Sequence, residues 1–273
     1  MAFGNKKVYG GGCMIDAVRL HLQGIKSALA VRMAYRADFF ISILIMLIVE
    51  AFGPLVTYLV YKNGASLPGW SMYEALLIQG VFMLSRGISF PFFFGMVWNT
   101  IQRVQEGTFD LLLIKPRSVL QMIIVTGFDS EDLGKLLGGI VLFSVSLANI
   151  PFPGLLLWLK FAALFFVSLV VMFGFGLILS GLGIVWIGNY RVYEIFYSIA
   201  NFGMYPANIF SKAVVTFITS VIPIAMLGYI PASQLLGRPA EGTLIAVVVS
   251  IIFLFASLLF WKAMFRRYNS AGG

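Results

Sequence analysis

The 273-residue sequence contains one cysteine, Cys13, and one histidine, His21. A single cysteine excludes a disulfide within the chain and any metal site built on several thiolates. With only one imidazole besides, zinc or haem chemistry on those ligands has too few donors. Charge is scarce as well: Asp, Glu, Lys and Arg make up 11% of the residues, against about 25% in soluble domains. A phosphate-binding loop of the form G-x-x-x-x-G-K-[ST] is missing, because Gly134-Lys135 has the wrong spacing before it and Leu136 after it. No Ser/His/Asp set is apparent, since His21 lies in an amphipathic stretch away from any candidate nucleophile. The chain therefore reads as no enzyme, and any ATP-driven work requires a partner that hydrolyses the nucleotide.

What the sequence has is apolar length. Hydrophobic residues account for 60% of it, and the mean hydropathy is +0.95. Runs such as Phe161–Gly181 and Thr243–Trp261 approach or reach the roughly 20 residues that cross a hydrocarbon core of about 30 Å. They are apolar on all faces, unlike the alternating segments of about ten residues in a transmembrane barrel. The expected fold class is thus an all-α polytopic membrane protein. The net charge of +8 would point to nucleic acid in a soluble chain. Here lipid headgroups and cytoplasmic loops account for it, and no nucleic-acid partner is expected.

Residues 1–14 are Gly-rich and basic without the apolar core of a cleavable signal peptide, and read as a disordered cytoplasmic tail. Ile15, Val18, Leu22, Ile25, Leu29 and Met33 then recur at three- and four-residue steps, with Arg19, Gln23, Lys26 and Arg32 on other faces. That pattern describes an amphipathic helix in the membrane interface, or else a helix that packs on a soluble partner. Membrane spans are expected at about 39–61, 75–101, 135–150, 158–186, 192–210 and 243–264. Pro206, Pro223 and Pro231 interrupt the stretch between the last two, which reads as a re-entrant or interfacial helical hairpin. With six spans and both termini inside, Lys62, Lys160, Lys212 and Arg238 fall outside and Arg86 within a span. The other 14 of the 19 basic residues stay inside, the bias that normally sets topology. The expected location is the cytoplasmic membrane of a bacterium.

Several residues stand out. Glu50 and Arg86 each sit about mid-span, where an unpaired charge costs about 2.5 to 3.5 kcal/mol. They read as a structural pair, or as groups that meet substrate or a proton. Gln79, Arg86, Phe90 and Phe93 share a stripe on the second span, and Tyr193, Phe196 and Tyr197 another on the fifth. These either line a pathway or pack among neighbours. Gly176, Ser180 and Gly183 on the fourth span permit close helix approach, most simply within the chain. The Gln102–Arg117 loop sets apolar Phe109, Leu111 and Leu112 beside charged Arg103, Glu106 and Asp110, with a Gly107 break. It reads as a docking element whose apolar knob enters a soluble partner, or as an interfacial loop with snorkelling basic residues.

The string Glu106-Gly107-Thr108-Phe109-Asp110-Leu111-Leu112-Leu113-Ile114-Lys115-Pro116 resembles the G-x-[LF]-D-x-L-L-x-[KR]-P signature that follows the second span of ABC-2 type transporter permeases. The likeness is greatest to a six-span branch first catalogued as a domain of unknown function. Tyr205-Pro206-x-x-Ile209-Phe210, Pro223, Pro231-Ala232-x-x-Leu235-Leu236-Gly237 and the ending Trp261 to Gly273 fit the same branch. Val185-Trp186 departs from it where an aromatic pair is expected. The resemblance covers about residues 14–273 and implies one transmembrane domain over 15–273, within an exporter of two permeases and two ATPases. It implies that the 15–33 helix is an elbow helix and that Arg103, Glu106, Gly107, Thr108, Phe109 and Asp110 form the coupling helix. It also implies that this chain binds no cofactor, ATP and Mg being held by the partner ATPase, and that a second permease, identical or related, completes the pathway. Two other readings stand beside this one: an ion-coupled secondary transporter with Glu50 as its proton site, and a membrane scaffold that transports nothing.

Overall fold

The computed structural model describes residues 14–186 and 191–269, with side chains from residue 18 onward. The expected N-terminal tail, the turn at 187–190 and the last four residues lie outside the described residues. Every element within them is helical. Helix α1 (Met14–Ala34) is followed, after a break at Tyr35, by α2 (Arg36–Lys62). Helix α3 (Met72–Ser89) starts at a capping box. There Ser71 Oγ accepts from the Glu74 N–H, and the Ser71 N–H donates to Glu74 Oε2 at 2.9 Å.

The helix does not stop at Ser89. Pro91 has no N–H to give to the preceding turn, and residues Phe90–Phe94 widen into one π turn, in which the Gly95 N–H reaches the Phe90 carbonyl. The carbonyl of Pro91 accepts instead from the Asp129 N–H at 3.0 Å. Helix α4 (Met96–Gln105) continues beyond, so Met72–Gln105 forms one rod of 34 residues. At 1.5 Å per residue it is about 51 Å long.

Short helices α5 (Asp110–Leu113) and α6 (Val119–Thr126) precede α7 (Leu133–Ala148) and the 31-residue α8 (Leu155–Val185). Helix α9 (Arg191–Ala200) gives way to 3-10 turns at Asn201–Met204 and Ala207–Ile209. Helix α10 (Lys212–Thr216), a 3-10 turn at Ile224–Leu227, α11 (Tyr229–Leu235) and α12 (Thr243–Phe265) complete the chain.

Four helical stretches are long and apolar enough to cross a membrane: Arg36–Lys62, Met72–Gln105, Leu155–Val185 and Thr243–Phe265. The stretch expected as a third span is the 16-residue α7, about 24 Å long. The stretch expected as a fifth is a ten-residue helix followed by 3-10 turns. It loosens where the backbone meets another segment: a Cβ on Gly203 would lie 2.6 Å from the Ile224 carbonyl, and Pro206 follows.

Most of the central rod is buried, whereas α2 and α12 turn most of their surface outward. Helix α7 reaches α3 through glycines. A Cβ on Gly87 would sit 2.5 Å from Leu136 Cα, one on Gly139 2.8 Å from the Leu84 nitrogen, and one on Gly80 2.9 Å from the Phe143 nitrogen. Gly176, Ser180 and Gly183 of α8 receive Met96, Thr100 and Ile101 of α4, with Thr100 Oγ1 and Ser180 Oγ hydrogen-bonded at 2.8 Å. This small-residue face packs inside the chain.

The segment between α9 and α12 is tied to one end of the rod twice. Trp70 Nε1 donates to Asn208 Oδ1 at 3.0 Å, and the Asn208 amide donates to the Pro68 carbonyl at 2.8 Å. Thirty residues on, Arg238 pairs with Glu74 at 3.0 Å and donates to the Gly69 carbonyl at 3.1 Å. Between these ties the chain reaches down the rod to Ser85, whose hydroxyl donates to the Leu227 carbonyl at 2.9 Å.

Replacement of Gly87 or Gly139 by Val forces two backbones apart, and overpacking typically costs about 1 to 3 kcal/mol or more. Either substitution is expected to lower the thermal midpoint of the detergent-purified protein by several degrees. Gly154→Ala, with open space around its Cβ, is expected to leave it unchanged.

Candidate functional site

Two places gather the residues singled out from the sequence. The first lies between α2 and α3. Arg86 is 4% and Glu50 9% exposed, and Arg86 Nη2 stands 3.1 Å from Glu50 Oε1. The contact is an ion pair whose N–H direction falls short of a hydrogen bond. The guanidinium carbon lies 5.4 Å from the Phe82 ring centre, 5.3 Å from Phe90 and 4.5 Å from Tyr197. A desolvated cation so placed gains from each ring face. Phe90 serves a second cation: Lys135 Nζ lies 4.2 Å from its centre and is bonded to the Asp132 carboxylate. Arg86 with Glu50 and Lys135 with Asp132 therefore form two mutually neutral pairs, the first buried and the second partly so, joined through one aromatic ring.

The sequence places Lys135 at the start of the expected third span, with the basic residues of the cytoplasmic side, and it is buried. The overlooked signal is Asp132 three residues before it, the spacing at which opposite charges meet around a helical turn.

The remaining stripe residues pack rather than line an opening. Gln79 donates to Thr57 Oγ1 at 2.7 Å, which ties α3 to α2 away from the charges. Phe93 meets Phe173 edge-on at 5.6 Å. Phe196 is held between Phe94 at 5.4 Å and Phe175 at 4.6 Å, and Tyr193 lies on Trp98 at 4.7 Å. The void beside Tyr193, walled by Val97, Ile101, Gly183 and Trp186, admits only about 10 Å³. Of the proposed lining residues, the structure brings Phe90 and Tyr197 to Arg86 and sets Gln79 and Phe93 apart.

The second place is the loop at the far end of the rod. Helix α4 ends in a reversal: Gly107 has φ +68°, and the Thr108 and Phe109 N–H groups both donate to the Arg103 carbonyl, at 2.9 and 3.1 Å. This reversal folds Phe109 back under α4. Its ring is fully buried, 4.7 Å from Tyr268 and 6.4 Å from Phe265. The expectation of Phe109 as a protruding knob is thereby corrected. Leu111 (54% exposed), Leu113 and Ile114 (80% exposed) face outward instead.

Arg103 also turns inward, donating to Asn99 Oδ1 at 2.7 Å, whereas Glu106 is exposed and accepts from Gln102 at 2.8 Å. Thr108 is half-buried, and Asp110 begins α5 beside Tyr268. The Tyr268 phenol is sealed from solvent and pushed up to about 12, by burial first and by the Asp110 carboxylate second.

Both places fall within one family match. The model for ABC-2 family transporter proteins covers residues 44–272, from before Glu50 to beyond Tyr268. The chain belongs to this family. It is an ABC transporter permease, a multi-pass membrane protein that serves as the membrane component of a transporter. No curated protein matches it. In this ABC-2 permease the charges enclosed by the helical bundle are met by pairing and by aromatic faces. Among the described residues, no three of His, Cys, Asp and Glu gather as a metal site.

Removing one partner of a buried pair leaves the other charge uncompensated, at a typical cost of about 3 to 5 kcal/mol. Glu50→Met and Arg86→Met are each expected to reduce the folded yield several-fold on size-exclusion chromatography. The double substitution is expected to recover part of the loss, and yields that simply compound the two single defects would show that the charges act separately.

Proposed function

We propose that this chain is the permease subunit of an ATP-driven exporter. It forms half of a translocation pathway with a second permease, and a separate ATPase that carries ATP and Mg engages the loop after the rod. The observation that carries this reading is the rod with its tip. A helix of about 51 Å overshoots a hydrocarbon layer of about 30 Å by some 20 Å, and at its far end Leu111, Leu113 and Ile114 stand exposed beside charged Glu106, Lys115 and Arg117. An apolar group held beyond the bilayer and rimmed by charge suits a protein partner. Its surroundings suit the task, because Phe109 and Leu112 are buried beneath it and hold the loop in one shape.

The topology proposed with this reading has six crossings, the four long apolar stretches together with α7 and the stretch 191–210. Helix α7 follows α3 from Leu136 beside Gly87 to Phe143 beside Gly80. The stretch 191–210 travels from Trp98, where Tyr193 lies, to Trp70, where Asn208 is bonded. The ties at Asn208 and Arg238, with Leu227 against Ser85 between them, fit a re-entrant hairpin entering from the Trp70 side. Helix α1 then serves as an interfacial helix. The basic residues about the loop favour a cytoplasmic location for that end, both termini included, in the inner membrane of a bacterium.

Leu111→Asp and Ile114→Asp, combined, are expected to abolish recovery of MgATP hydrolysis with the permease purified from its native membrane, while its elution profile and thermal midpoint stay parental. Phe109→Ala acts differently: loss of a buried ring costs about 3 to 5 kcal/mol, so it is expected to lower the thermal midpoint. Retention of parental hydrolysis by the double Asp variant overturns the proposed docking role.

A further inference from the structure

The end of α12 and the turn after it carry an aromatic series to which the transport reading assigns no task. Trp261, Phe265 and Tyr268 follow one another at four- and three-residue steps, the spacing of one helix face. The rings of Trp261 and Phe265 are stacked, with centres 5.2 Å apart and planes 6° from parallel. Trp261 Nε1 donates to Ser180 Oγ at 3.4 Å, and Ser180 is in turn bonded to Thr100 of α4. At the other end Phe265 and Tyr268 take the Phe109 ring. Side-chain contacts thus run from the loop through α12 and α8 and back to α4, the helix from which the loop departs.

The loop's own backbone gives it little rigidity. Helix α5 is four residues long, far below the length at which a helix is stable alone. The backbone hydrogen bonds of residues 106–113 join near neighbours only. Its tertiary hold includes the burial of Phe109 and Leu112, with α6 packed beside α5 and Asp110 beside Tyr268.

We infer that Phe265 and Tyr268 form a clasp that positions the docking loop, so that the loop and the last span move as one body when the partner pushes. Tyr268 is a positioning residue in this reading, which rests on the docking role proposed above. The ring does most of the holding, since it makes the contact with Phe109, whereas the phenol oxygen lies sealed beside Asp110. The C-terminal aromatic series thereby gains a function in transmission.

The test uses the full chain with Cys13→Ser and a reporter, Leu112→Cys, at a buried loop position. Maleimide labelling of the reporter is expected to be slow in the parent, at least tenfold faster with Tyr268→Ala, and unchanged with Tyr268→Phe. Recovery of MgATP hydrolysis with the permease is expected to fall about tenfold with Tyr268→Ala and to be restored by Tyr268→Phe. Tyr268→Leu, which keeps bulk but not the ring, is expected to speed labelling at least threefold and stands in if the Ala variant is not recovered folded. Parental labelling in the Ala or Leu variant overturns the clasp even where the Leu111 and Ile114 double Asp variant loses hydrolysis. Faster labelling together with hydrolysis insensitive to that double Asp variant upholds the clasp and removes the docking reading instead.

Discussion

Gly80 and Gly87 of α3 and Gly139 of α7 bring two helix backbones into van der Waals contact, in a medium where apolar side chains gain little from leaving the solvent. Lipid tails are as apolar as Leu, so helices in a bilayer associate through close packing and interhelical polar contacts. The contact fixes where α7 begins along the rod and so places Lys135 and Asp132 beside Phe90. Helix α2 then closes over the same region, with a Cβ on Gly134 only 2.5 Å from the Ile43 carbonyl, and brings Glu50 to Arg86. The buried charges depend on these glycines, because a side chain's width of separation between helices would admit solvent or lipid to ions that tolerate neither unpaired.

The π turn at Phe90–Phe94 belongs to the same arrangement. Its cause is local, a proline within a helix, yet its loose carbonyl is satisfied by the connector before α7. The turn separates a half of the rod that packs mainly on α7 from a half that packs mainly on α8 and α6, with α8 touching both. Helix defects of this kind recur at functional hinges. Here the defect lies directly beneath the Arg86 cage and above the helix that bears the loop.

The loop shows how a short motif combines two tasks. Gly107 takes a left-handed conformation that a residue with a Cβ resists, and that reversal sorts the apolar residues after it. Phe109 and Leu112 turn in and set the shape, whereas Leu111, Leu113 and Ile114 turn out. A rigid interior behind an exposed apolar face is the division that the proposed docking role requires.

Much of the protein was legible in its sequence. Apolar length and the scarcity of charge marked a helical membrane protein, and the Glu106–Pro116 string resembled the family whose model matches residues 44–272. These features are carried by single segments, whose hydropathy and local chemistry need no neighbour to be read. The outward or inward aim of Phe109, the burial of Lys135 and the enclosure of Arg86 by Phe82, Phe90 and Tyr197 were decided only in the tertiary structure. An apolar side chain in a membrane protein suits lipid, core and interface alike, and hydropathy is the same for all three. Which one it meets depends on the register and depth at which the helices pack, and that is set by glycines that meet the backbone of helices far away in the chain.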